Sequence, residues 1–162
     1  MSSTDLYRLS GIKDKTESGH EKIKIKYEKL LDYMSYCKDI NIVVDSIFIT
    51  NEVYSRLGYL KYSFTNTYKD LLKKLDELDN FNIFMIFLYL ENENSYSTRL
   101  KREKHSYQKF EVESSIKQQN EYLKIADEVE QATKNIKVIK FENGTMEKME
   151  EKLEDLFSNL YK

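Results

Sequence analysis

The chain has 162 residues, enough for one domain with a real core: 40% of it is apolar. A formal net charge of -2 and a pI near 5.8 give no bulk attraction for nucleic acid or an anionic membrane. A single cysteine, Cys37, excludes an internal disulfide framework and suits a reducing cytoplasm.

In chain order, the first 20 residues are polar, so no secretory signal is expected. Ile23, Tyr27, Leu30, Leu31 and Met34 recur at helical spacing and predict a helix over 20–37, with Cys37 as a small core residue on its apolar side. "INIVV" (40–44) is a continuous, β-branched run and predicts a buried strand. It ends in Asp45, which either faces a ligand or metal or caps the next turn. "NEVYSRLG" predicts a short helix ending at Gly58. Thr67 and Asp70 have capping-box spacing and open a helix with Tyr68, Leu71, Leu72, Leu75 and Leu78 inward.

"FNIFMIFLYL" predicts the main strand, buried on both faces, in which Leu88→Ala should cost roughly 2–5 kcal/mol. Its apolar core, "IFMIFLYL", is too short to span a bilayer. A helix through "SYSTRLKRE" is expected next, then a long one over 109–133 with Val112, Ile116, Gln119, Leu123 and Ala126 in one stripe. "IKVIKF" alternates like a strand nearer an edge. Asn143-Gly144 marks a turn, and the spacing of Met146, Met149, Leu153, Leu156, Phe157 and Leu160 predicts a closing amphipathic helix. Strands alternating with helices predict an α/β fold with a mostly parallel sheet, which binds ligands at the carboxyl ends of its strands.

"VVDSIFITNEVYSRLGY" and the elements after it resemble the thymidylate kinase-like branch of the nucleotide kinases, phage versions especially, over roughly residues 38–160. An abundance of Lys, Asn, Tyr and Ile without Pro or Trp also fits a phage or low-GC bacterial genome. The resemblance implies a three-layer P-loop kinase-like fold. It places Asp45 in the family's Asp-Arg pair, Thr50–Tyr54 in the helix-entering segment that follows, and Arg99 and Arg102 at the start of the lid. It also implies nucleotide and Mg²⁺ as ligands and a homodimer built on helices.

Two departures are decisive. No GxxxxGK[ST] loop exists among Gly11, Gly19, Gly58 and Gly144, so the Walker A strand is missing. Ser46 stands where the family's phosphate-binding Arg is expected, and a hydroxyl cannot supply bidentate charge. Without a phosphate cradle, ATP-dependent catalysis is not expected. The strands at 40–44 and 83–90 are then expected to pair directly, or another chain or an upstream segment to fill the gap.

The candidate nucleotide- or anion-binding residues are Asp45, Glu52, Tyr54, Arg56, Arg99 and Arg102; no catalytic residue is assigned. The commoner role for Arg99 and Arg102 is a solvated face, and for Arg56 an ion pair with Glu52 one turn earlier. His20 and His105 are isolated, so no metal site is indicated. The reading is a non-catalytic, kinase-like domain over residues 1–162 that binds a nucleotide or a host or phage protein, with a homo-oligomer expected. Its alternatives are a truncated or split deoxynucleotide kinase whose P-loop lies on another chain, and an unrelated α/β interaction domain.

Overall fold

The computed structural model of the chain describes residues 17–38, 40–45, 47–92, 94–96, 112–144 and 146–160. Its elements are α1 (Glu17–Tyr36), α2 (Ile49–Arg56), α3 (Thr65–Asp76), β1 (Ile83–Tyr89), α4 (Val112–Ala132), β2 (Ile136–Glu142) and α5 (Met146–Leu160).

Helical periodicity places the core as expected. Ile23, Tyr27, Leu31 and Met34 of α1 are buried, as are Tyr68, Leu71, Leu72 and Leu75 of α3. With Phe48, Val53, Phe64, Ile125, Val129, Met85 and Phe87 they form one cluster between the helices and one face of the sheet. Helix α2 ends where a glycine allows it. Gly58 has φ 73°, the Tyr59 N–H reaches Tyr54 O at 2.8 Å, and the Gly58 N–H reaches Ser55 O at 3.1 Å, the Schellman arrangement. Helix α3 starts at Thr65, earlier than the proposed capping box. Phe64 is its N-cap and makes no side-chain cap bond, while the buried Thr67 hydroxyl instead meets His20 Nε2 at 2.8 Å.

Strands β1 and β2 pair in parallel, with Ile83 opposite Ile136 and Tyr89 opposite Glu142, so the chain is mixed α/β with a parallel pair joined through α4. The register runs on past β2, where the Asn143 N–H donates to Tyr89 O at 2.7 Å. The carboxyl end of β1 is closed by an amide side chain. Gln119 Oε1 accepts from Leu90 N–H at 2.6 Å, and Gln119 Nε2 donates to Leu90 O at 3.0 Å. The Gln119 amide thereby does for Leu90 what a neighbouring strand would do.

Three expectations are corrected. Residues 40–44 are not a strand: among the described residues, 40–45 make no backbone hydrogen bond, and Val43 is 89% exposed. The β-branched run has the propensity, but a strand exists only by pairing, and the bonded neighbour of β1 is β2. Ahead of the segment, Asn80 Nδ2 donates to Met34 O and Cys37 O and closes the end of α1. Strand β1 is covered on one face only: Met85 and Phe87 are buried, whereas Ile86 and Leu88 are exposed. The buried stripe of α4 also runs through Ile125, Ala126 and Val129, further toward its C-terminus than expected. The helix expected through 95–103 is described only at its first turn, 94–96.

Candidate functional site

Helix α2 turns two charged residues into the seam with α3 and α4. Glu52 and Arg56 are one turn apart, so both side chains lie on the same side of α2. The Glu52 side chain is fully buried, and Arg56 Nε donates to its Oε1 at 2.8 Å. The Thr65 hydroxyl, at the start of α3, donates to the same oxygen at 3.0 Å. From α4, Glu128 takes the guanidinium with both oxygens: Nη1 to Oε1 and Nη2 to Oε2 are each 2.7 Å. Glu121 lies two turns earlier on α4, on the same side, and accepts from Nη1 at 3.4 Å. One guanidinium therefore joins three carboxylates and ties α2 to α4.

The electrostatics follow from that geometry. Hydrogen bonding to Glu128 is the main influence raising the Arg56 guanidinium, against the opposing effect of burial. The same bond holds the Glu128 carboxyl below the usual range. Tyr68, on α3, has its phenol pushed up to about 12, first by burial and then by the Glu128 carboxylate. Neighbouring hydroxyls are also tied between elements: Tyr122 donates to Thr50 Oγ1 at 2.8 Å, and Tyr27 donates to Asn51 Oδ1 at 3.1 Å.

An open cleft of about 480 Å³ lies against this seam, lined by Ser55, Arg56, Lys61, Tyr62, Ser63 and Thr65 among others. Ser55 braces its floor by accepting from the Phe64 N–H at 2.9 Å. The Tyr62 ring stacks on His20, with centroids 4.5 Å apart and planes 3° from parallel.

The expected site residues part company here. Glu52 and Arg56 are together, as the one-turn pairing predicted, but in a larger ion cluster of which Glu52 alone is fully buried. Tyr54 packs against the core and meets the Tyr59 ring edge-on at 5.8 Å. Asp45 is exposed at the end of the unpaired 40–45 segment and makes no ion pair among the described residues. Arg99 and Arg102, with Ser46, lie outside the described residues.

Sequence reasoning missed Thr65, Glu121 and Glu128. The seven-residue spacing of the two glutamates puts them on one side of α4, which is a legible signal. Their partner, 65 and 72 positions away, is not. Among the described residues no group of three His, Cys, Asp or Glu side chains could hold a metal ion, and no helix is long and apolar enough to cross a membrane. No family profile, no curated protein and no solved structure matches this chain.

Proposed function

We propose that this protein acts by association with a partner protein and carries out no phosphoryl transfer, as a kinase-like domain without its phosphate-binding loop. The observation that carries this reading is the state of Arg56. As a phosphate ligand it would have to give up two 2.7 Å bonds to Glu128 and would leave Glu52 buried without its cation. The exposure of Val43, Ile86 and Leu88 leaves apolar surface for a partner to cover.

A second reading, nucleotide binding in the cleft, is favoured by Lys61, Ser63 and Thr65 at the start of α3, whose first turn carries no acidic residue. One experiment separates the two. Thermal unfolding is followed with Mg²⁺ and saturating nucleoside mono- and triphosphates. Association with a protein predicts no change in Tm; a rise that grows with nucleotide concentration establishes the second reading. Turnover of ATP with a nucleotide acceptor by the purified chain would overturn both.

A further inference from the structure

We propose that the seam between α2 and α3 binds a single internal water, which bridges the Glu52 Oε2 atom and the Tyr68 hydroxyl. Both residues lie in the core, Glu52 at 0% and Tyr68 at 3% exposure. Glu52 Oε2 and the Tyr68 hydroxyl oxygen are each buried with no hydrogen-bond partner among the described residues. Nearly all buried polar atoms in folded proteins are satisfied, and a bare carboxylate oxygen is among the costliest to leave otherwise.

The two side chains come from helices that meet in one seam. Glu52 and Phe48 are one turn apart on the same side of α2, where the Glu52 N–H donates to Phe48 O at 3.3 Å. Thr65 and Tyr68 are likewise one turn apart on α3. Thr65 donates to Glu52 Oε1, and the Tyr68 ring meets the Phe48 ring at 6.1 Å between centroids. Both contacts join the same pair of helices, α2 with its N-cap Phe48 on one side and α3 on the other. The Tyr68 phenol also responds to the charges of Glu128, Arg56 and Glu52.

The missing partner is identified by chemistry. Oε2 can only accept, and a phenol can donate or accept. Water donates one O–H to Oε2 and accepts from the Tyr68 O–H, which completes both. A cation is the poorer fit, because Arg56 Nε already stands against the Glu52 charge at 2.8 Å.

The test is a crystal structure of the full chain together with urea unfolding of Tyr68→Phe, Glu52→Gln and the double variant. The expected density shows one solvent peak within about 3.2 Å of both atoms. Tyr68→Phe should then lower the folding equilibrium constant ~5-fold, and by less when Glu52→Gln is already present. The proposal is overturned by a direct Tyr68–Glu52 hydrogen bond or by a dry contact between the two groups. It is also overturned if Tyr68→Phe leaves stability unchanged or raises it, the result of deleting a hydroxyl that had no partner. If Glu52→Gln does not fold, the density and the sign of the Tyr68→Phe effect still decide.

Discussion

Arg56 joins three carboxylates, and of these only Glu52 is wholly out of reach of solvent, so the consequences of losing the guanidinium are unequal. Arg56→Met strands a buried charge and is expected to cost about 3 kcal/mol in urea unfolding. Adding Glu52→Leu should recover most of that, because an apolar pair of similar volume avoids the desolvation of both ions. Glu121→Gln should cost well under the Arg56→Met loss, about 1 kcal/mol or less, since its 3.4 Å contact with Arg56 is the longest of the set and its other partner, Lys124 at 3.1 Å, is 67% exposed. If the Arg56→Met/Glu52→Leu protein is no more stable than Arg56→Met, the stranded Glu52 charge is not the source of the Arg56→Met loss. Arg56→Lys is no substitute, because an ammonium cannot hold both oxygens of Glu128.

At the scale of an element, β1 carries its cost on one face. Phe87 is 6% exposed and points into the core shared with the helices, whereas Leu88 is 56% exposed. Phe87→Ala should therefore lose about 3–5 kcal/mol, and Leu88→Ala less than ~1 kcal/mol, well below the value expected for a strand covered on both faces. Equal losses in the two variants would place a covering layer over Leu88. The 40–44 run shows the same lesson from the other side. Its residues favour a strand, yet 40, 41, 43 and 45 are exposed and only 42 and 44 are partly covered. From 41 onward alternation survives without hydrogen bonds among the described residues, because side-chain packing and backbone pairing are separate requirements.

Across the whole molecule, the charged seam and the buried phenols set opposite limits on pH. The Glu128 carboxyl sits below its ordinary value of 4.5 because Arg56 holds the ionised form. Its contribution is present above that value and is lost as pH falls through the depressed folded-state value. Burial raises the Tyr27 phenol well above its ordinary 10.0. The unfolded chain then gives up that proton first, so stability falls as pH rises beyond 10.0. Urea midpoints measured across pH should decline at both ends. Tyr27→Phe should flatten the alkaline limb while leaving the acid limb in place; an unchanged alkaline slope would assign that limb to other groups. The acid limb should be shallow, because the Glu128 side chain is 49% exposed and its pairing is screened.

What this sequence determined alone was local. The inward stripes of α1 and α3 follow from a 3.6-residue period that any single helix must obey, and the glycine at 58 marks a helix end because only its backbone freedom closes the turn. The existence of β1 and β2 was legible from other local patterns, a continuous apolar run at 83–90 and alternation in 136–141. Tertiary structure decided which face of β1 is covered, whether 40–44 finds a partner, and what became of Glu52 and Arg56. Each of those depends on atoms contributed by residues far away in the chain, such as Thr65, Gln119, Glu121 and Glu128. A pattern of neighbours along one segment carries no information about which distant segment will satisfy it.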